Sequence, residues 1–260
     1  VMIFPDLMVE SNNKKLLIGG NWKSNGDTAF IDSFDGTLKS LDFDSSKVDV
    51  MIFPTSLHLE KLRERYPQII VGSQNVSKHG NGAYTGELSP SLLKDIGINT
   101  TLIGHSERRQ FFGDDEETIS LKLKNAEANG MYIVFCVGEN LKDREDNNTI
   151  NVIKAQLDTC RKSITNWKNI AIAYEPVWAI GTGKTASPEE AQAVHADIRK
   201  WLRSVGETAE KSVRIIYGGS VNENNCDSLI KQVNIDGFLV GGASLKPAFK
   251  NIVDSSKLKN

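Results

Sequence analysis

Residues 213–245 read VRIIYGGSVNENNCDSLIKQVNIDGFLVGGASL. An apolar run rich in β-branched residues at 213–217 ends at a pair of glycines, and a helical pattern follows at 223–232. A second apolar run at 237–240 ends at a second pair of glycines. The order strand, helix, strand predicts a βαβ unit, and the unbroken apolar character of the runs is typical of parallel strands covered on both faces.

The same alternation extends through most of the chain. Eight apolar runs alternate with eight helical patterns. The predicted strands are residues 16–20, 48–53, 69–72, 100–104, 132–137, 170–174, 213–217 and 237–240. The predicted helices are residues 28–41, 56–65, 90–96, 115–129, 149–167, 188–205, 223–232 and 245–253.

Eight strand–helix units of about 31 residues each predict a closed (β/α)8 barrel of the α/β class. An open doubly wound sheet needs fewer strands and a dinucleotide-binding fingerprint, which the sequence lacks. No long linker divides the chain, so we predict a single domain. We assign residues 15–260 to the barrel and interpret residues 1–14 as an N-terminal extension, a leader outside the fold.

Charge and composition argue against several classes of protein. Thirty-one basic and 33 acidic residues give a net charge of −2, which argues against binding to nucleic acid or to an anionic membrane. The longest apolar run, 132–137, is too short to span a bilayer, and the N-terminus lacks the basic region of a secretory signal. Three widely spaced cysteines indicate neither a disulfide framework nor a zinc site. We therefore expect a cytoplasmic protein without a metal.

Polar side chains follow three of the predicted strands. Asn21 and Lys23 come after the first, His105 and Glu107 after the fourth, and Glu175 after the sixth. Taken singly, each could be a solvated loop residue, half of an ion pair or a structural histidine. In a barrel, however, the carboxyl ends of the strands meet at one mouth, where active sites lie. Together these residues predict an active site.

The glycine pairs at the ends of the seventh and eighth strands predict a phosphate site. Gly218 and Gly219 precede Ser220, and Gly241 and Gly242 follow the eighth run. Glycines let backbone N–H groups approach an anion closely, and loops seven and eight of barrels often bind phosphate. The alternative is that the glycines only turn the chain; two neighbouring pairs favour the phosphate site.

The loop after Glu175 predicts a lid. Its GTGKT sequence at 181–185 resembles a Walker loop but has Trp178 where the first glycine is required, and no dinucleotide fingerprint fits either. Long loops of this kind in compact domains commonly close over a site. The predicted lid comprises Pro176, Val177, Trp178, Ala179, Ile180, Gly181, Thr182, Gly183, Lys184, Thr185 and Ala186.

Six motifs together resemble the triosephosphate isomerase family over residues 15–257. They are NWKSNG at 21–26, GAYTGE at 82–87, IGHSERR at 103–109, AYEPVWAIGTGKTA at 173–186, YGGSV at 217–221 and LVGGASL at 239–245. The resemblance implies a TIM barrel that interconverts dihydroxyacetone phosphate and D-glyceraldehyde 3-phosphate, in glycolysis and gluconeogenesis, without a cofactor or metal. Another phosphate-binding barrel enzyme and a catalytically silent scaffold barrel are the alternatives.

The resemblance also implies a role for each site residue. Glu175 would be the base, and His105 would polarise the carbonyl, with the helix start after it favouring a neutral imidazole. Lys23 would supply positive charge, Asn21 would hold substrate oxygens, and Glu107 would support the site. The backbone groups expected to bind phosphate are those of Gly181, Ser220, Gly241 and Gly242.

Members of this family form homodimers in which the loop at 74–87 inserts into the second subunit. The resemblance therefore implies a homodimer, with all catalytic residues of each site in one chain. Ser24 stands where relatives often carry a larger or softer side chain. The expected interface residues are Gln74, Asn75, Thr85, Gly86, Glu87 and Ser24.

Overall fold

A computed structural model of the chain describes residues 14–180 and 185–259. The predicted N-terminal extension, except for Lys14, lies outside the described residues. Eight parallel strands form one sheet in the order β3-β2-β1-β8-β7-β6-β5-β4. The strands are β1 Leu16–Asn21, β2 Val48–Phe53, β3 Ile70–Val71, β4 Thr100–Ile103, β5 Tyr132–Val137, β6 Ile170–Tyr174, β7 Arg214–Tyr217 and β8 Gly237–Val240.

The two edge strands of this sheet meet and close the barrel. Ser73, just after β3, forms a parallel bridge with Thr101 of β4. The Ser73 N–H donates to the Thr100 carbonyl at 2.9 Å, and the Leu102 N–H donates to the Ser73 carbonyl at 2.9 Å. The predicted closed (β/α)8 barrel is confirmed, and all eight predicted strands are present.

Alternate strand residues pack on opposite sides of the barrel wall. One buried cluster fills the interior and includes Leu17, Met51, Val134 and Ile216. The other, larger cluster lies between the wall and the surrounding helices. This two-sided burial explains why the strands are apolar without interruption.

The helices follow the strands around the outside of the barrel. They are α1 Thr28–Lys39, α2 Leu59–Arg65, α3 Pro90–Asp95, α4 Ser106–Phe111, α5 Glu116–Ala128, α6 Leu141–Glu145, α7 Thr149–Ser163, α8 Pro188–Val205, α9 Glu207–Ser212, α10 Cys226–Ile230 and α11 Phe249–Ser255. None of these helices is long and apolar enough to cross a membrane.

Helix boundaries agree best with the prediction where capping is strong. Helix α8 has the predicted bounds, because Ser187 and Glu190 form a reciprocal capping box before Pro188. Helix α7 ends at Ser163, four residues before the predicted end, because Ile164 is extended. The predicted helix at 245–253 begins only at Phe249, after a short 3-10 turn.

A side-chain ion pair links three strands at the amino-terminal end of the barrel. The Arg214 guanidinium donates to Asp49 Oδ2 at 2.6 Å and to the Tyr132 hydroxyl at 2.6 Å. All three residues begin or nearly begin a strand, so the contacts tie β7 to β2 and β5. The polar residues at the opposite, carboxyl ends of the strands remain available for a site.

Candidate active site

Glu175 follows β6 and is 2% exposed at the mouth of the barrel. Its backbone N–H donates to the Val137 carbonyl at 2.7 Å, which extends the β5–β6 pairing past the end of the strand. One carboxylate oxygen, Oε2, accepts the Ser106 N–H at 3.1 Å. The other, Oε1, lies 2.8 Å from His105 Nε2. The structure thus brings two of the predicted catalytic residues into direct contact.

Hydrogen bonds on both ring nitrogens define the state of His105. Nδ1 accepts the backbone N–H of Glu107 at 3.2 Å, which leaves the proton on Nε2 to be donated to Glu175. Burial lowers the pKa of His105, but the nearby Glu175 carboxylate and its hydrogen bond raise it above the usual value. The neutral ring that the helix start was expected to favour stays a prediction: the N–H accepted by Nδ1 is consistent with it, whereas the Glu175 contact, which the sequence did not reveal, shifts the pKa in the opposite direction.

Lys23 lies on a strained turn after β1. Its φ is +54°, a left-handed conformation that side-chain-bearing residues rarely adopt. Its N–H donates to Asn21 Oδ1 at 3.0 Å, and its Nζ donates to Glu107 Oε1 at 2.6 Å. The predicted group of Asn21, Lys23 and Glu107 is therefore a connected set, whose contacts hold the Lys23 side chain at the mouth.

Gln74 fixes the strained turn from outside. Its Nε2 donates to the Lys23 carbonyl at 2.7 Å and to the Phe53 carbonyl at 2.9 Å. The neighbouring Asn75 accepts a hydrogen bond from Lys122 Nζ at 2.9 Å. Both residues were predicted at a subunit interface, and both use their side chains within this chain. The sequence contained no signal for the contact between Gln74 and Lys23, since 51 residues separate them.

A cavity of about 320 Å³ opens between these side chains and the last two strands. Its size is typical of a small-molecule site. Glu107 is not among the described lining residues, and it reaches the site through its contacts with Lys23 and His105. The predicted site residues that line the cavity are Asn21, Lys23, His105, Glu175, Ile180, Gly218, Gly219, Ser220, Gly241 and Gly242.

The glycines at the rim are needed for space. None of Gly218, Gly219, Gly241 and Gly242 has a positive φ, so a turn conformation does not explain them. A Cβ on Gly218 would lie 3.0 Å from Glu175 Cγ, and one on Gly219 would lie 2.2 Å from the Tyr217 hydroxyl. Open space surrounds Gly242. The first pair lets the chain pack against the catalytic strand, and the second leaves room for a ligand.

The sequence analysis missed several residues around the cavity. Val221, Asn222 and Lys246 also line it. Of these, Lys246 had a usable signal, because it follows the second glycine pair by four residues. The predicted phosphate-binding residue Gly181 lies outside the described residues.

The lid begins as a short 3-10 helix at Val177–Ala179. Trp178 Nε1 donates to Glu139 Oε1 at 3.1 Å, and the Tyr174 hydroxyl donates to the same oxygen at 3.1 Å. Arg144 stacks on the Trp178 ring, 4.4 Å from its centroid. Burial raises the pKa of Glu139, which is fully enclosed. The beginning of the predicted lid is thus anchored on the barrel; residues 181–184 lie outside the described part of the chain.

Comparison with known proteins gives the family. A family model described as triosephosphate isomerase matches residues 16–256. The chain belongs to the triosephosphate isomerase family. It is 47% identical over 246 residues to a triosephosphate isomerase of Emericella nidulans, covering 93% of this chain and 98% of the relative. A triosephosphate isomerase of Paracoccidioides lutzii is 46% identical with the same coverage.

A second depression lies beside the active site of this triosephosphate isomerase family member. It measures about 580 Å³, and its lining includes Ser24, Phe30, Leu57 and Leu245. Leu57 is 85% exposed. The whole tip of the predicted insertion loop, residues 81–88, is also exposed, and it contains Thr85, Gly86 and Glu87. One chain therefore presents both an open apolar groove and a projecting loop.

Proposed function

We propose that this chain interconverts dihydroxyacetone phosphate and D-glyceraldehyde 3-phosphate through an enediolate intermediate, as an aldose–ketose isomerase. The observation that supports this most strongly is the contact between Glu175 and His105 at 2.8 Å, on the wall of a cavity that Lys23 also lines. A carboxylate, an imidazole and a cation in one cavity supply a base, a proton donor and a stabilising charge. The reaction requires no cofactor or metal.

Glu175 is the proposed base. Its carboxylate removes a proton from the carbon next to the substrate carbonyl, and the electron pair left behind moves into the enediolate. His105 moves a proton from the hydroxyl oxygen on the first carbon to the former carbonyl oxygen, and the protonated carboxyl returns its proton to the neighbouring carbon, which completes the isomerisation. The side chain is 2% exposed, so little water competes with the substrate carbon for the proton. The Ser106 N–H holds the carboxylate in place.

His105 and Lys23 stabilise the charge that develops on the substrate oxygens. The Nε2–H that donates to Glu175 in the structure would donate to a substrate oxygen in the complex. Because Nδ1 already accepts the Glu107 N–H, the proton-bearing nitrogen faces the cavity. Lys23 adds a fixed positive charge, and Asn21 holds a substrate oxygen and the turn that carries Lys23.

The phosphate group is proposed to lie on the glycine rim. Ser220, Gly241 and Gly242 line the cavity. A Cβ added to Gly241 would lie 3.8 Å from Lys23 Cε, so Gly241 faces the Lys23 side chain. Backbone N–H groups without side chains can approach phosphate oxygens closely. The lid, including Gly181, is expected to cover this end of the substrate and to protect the enediolate from loss of phosphate.

The homodimer is also part of the proposal. The loop tip at 81–88 is exposed, and the apolar groove that contains Ser24 and Leu57 is concave, so the two surfaces have complementary shapes. A second copy of the chain would fill the groove with its own loop. We also propose that the enzyme acts in the cytoplasm, in glycolysis and gluconeogenesis.

A coupled assay tests the function. Purified chain is incubated with glyceraldehyde 3-phosphate, and dihydroxyacetone phosphate is detected by its reduction with glycerol-3-phosphate dehydrogenase. We expect turnover without added metal and after treatment with a chelator. Absence of turnover on either triose phosphate, with the protein folded, would favour a different phosphate-binding barrel enzyme or a scaffold protein.

A further inference from the structure

The charges described around the cavity leave the attraction of the substrate unexplained. A triose phosphate carries about two negative charges at neutral pH. The chain has a net charge of −2, and the Glu175 carboxylate lines the cavity. Lys23, the cation at the cavity wall, donates at 2.6 Å to the Glu107 carboxylate, which offsets its charge for a ligand approaching from a distance. Another positive charge is needed at the mouth.

Lys246 has the properties of that charge. It lines the same cavity as the glycine rim and follows Gly241 and Gly242 on the loop after β8. The side chain is exposed, and no carboxylate in the described part of the chain lies within ion-pair distance of its Nζ. Its neighbour along the chain, Lys250, is by contrast paired with Asp254 at 3.1 Å.

We propose that Lys246 is a steering and positioning residue for the phosphate group of the substrate. The inference rests on the proposed function. An unpaired ammonium at the rim attracts the dianion before it enters and then faces the phosphate end of the bound substrate, opposite to the reacting carbons near Glu175. Lys246 therefore contributes to capture of the substrate and little to the proton transfer itself.

Kinetics at varied ionic strength test the proposal. The variants are Lys246→Gln, Lys246→Glu and Lys246→Arg, with Lys250→Gln as a control that removes the same charge from a paired lysine outside the cavity lining. A unit charge acting on a dianion about 10 Å away in water changes its local concentration by about fourfold. We expect kcat/KM at low salt to fall by about that factor in Lys246→Gln and by about its square in Lys246→Glu.

Three further results follow if the inference is right. The kcat of Lys246→Gln stays within about twofold of the unmodified chain, and the Arg variant retains normal kcat/KM. The losses shrink as salt rises to about 0.5 M, where the screening length is a few ångströms. The inhibition constant of inorganic phosphate rises by the same factor as kcat/KM falls, and Lys250→Gln matches the unmodified chain in all measurements.

Other outcomes would overturn the inference. Lys246→Gln with an unchanged kcat/KM at low salt would show that the charge is not used, as would an equal loss in the Lys250→Gln control. A loss that persists at high salt and lies in kcat would show a structural or catalytic role. If the unmodified chain does not isomerise triose phosphates, the proposed function fails, and calorimetric binding of inorganic phosphate to the Lys246 variants still tests the role of the charge.

Discussion

Lys23 and Glu107 form an ion pair at 2.6 Å across the mouth of the barrel, and the turn that carries Lys23 has a φ of +54°. The cation is therefore held by a backbone conformation that its own side chain disfavours. Three contacts support the turn: those of Asn21, Glu107 and Gln74. Strain of this kind at a candidate site indicates that the position of the side chain matters more than the stability of the loop.

Replacing Lys23 separates its charge from its backbone strain. Both Lys23→Ala and Lys23→Gly should lower kcat/KM by about 10² to 10³, because each removes the stabilising cation. The Gly variant should be more stable than the Ala variant by about 1 kcal/mol, since glycine adopts a positive φ without steric cost. Steady-state kinetics and urea unfolding measure the two effects. Equal stability of the two variants would contradict the strain.

Gly219→Ala should damage the beginning of the lid. The new Cβ would lie 2.2 Å from the Tyr217 hydroxyl and 3.0 Å from Pro176 Cγ, and Tyr217 is fully buried. We expect a loss of about 1–3 kcal/mol in the free energy of unfolding and a raised KM. Gly36→Ala in α1 is the control, because open space surrounds Gly36 and alanine favours helix. Equal free energies of unfolding for the two variants would show that a Cβ at position 219 does not clash with the Tyr217 hydroxyl.

His195 should make folding sensitive to acid. The ring is fully buried, with Nδ1 3.0 Å from the Asn234 carbonyl, and burial lowers its pKa to about 3. Between this value and the ordinary value near 6.5, the unfolded chain binds a proton that the folded chain does not, so stability falls as pH drops through that window. From pH 7 to pH 5 the loss is about 2 kcal/mol.

The matched variant for this effect is His195→Gln, which cannot titrate. Urea unfolding of both proteins at fixed concentration should show a difference between pH 7 and pH 5 that is smaller in the variant by about 2 kcal/mol. Parallel pH profiles of the two proteins would mean that His195 is not the group responsible.

The proposed dimer can be broken without harming the barrel. Sedimentation should give a particle of twice 28.7 kDa. Leu57→Glu places a charge in the groove at a side chain that is 85% exposed in the single chain, so it should yield a folded monomer. Val233→Glu is the control, since Val233 is 68% exposed outside the groove and its variant should remain dimeric. An active unmodified chain that sediments near 28.7 kDa would overturn the dimer.

The strands could be predicted from sequence because their signal is local. The runs at 48–53, 132–137, 170–174 and 237–240 match the observed strands. Both faces of each strand are buried, so the apolar run in the sequence begins and ends where the strand does. Two short helices, α6 and α9, were not predicted, and of α4 only the start after His105 was predicted. Each has five or six mostly polar residues, which is too short for helical periodicity to be seen.

Contacts between distant parts of the chain explain the rest of the disagreement. Helix α7 was predicted to continue to residue 167, yet the Glu127 carboxylate accepts the N–H groups of Thr165 and Asn166 at 2.7 Å and holds them outside a helix. The residues of the candidate site could be predicted from the polar side chains that follow the strands. The pairing of Glu175 with His105, and of Gln74 with Lys23, depended on the fold.

The most direct test of the account is the turnover of Glu175→Gln. Glutamine keeps the size of the side chain and an oxygen to accept the Ser106 N–H, but it cannot take up the substrate proton. With glyceraldehyde 3-phosphate in the coupled assay, we predict a fall in kcat of at least about 10³ with an unchanged circular dichroism spectrum. Glu189→Gln, at an exposed carboxylate in the first turn of α8, should behave like the unmodified chain. Near-normal turnover by Glu175→Gln would contradict the assignment of Glu175 as the base.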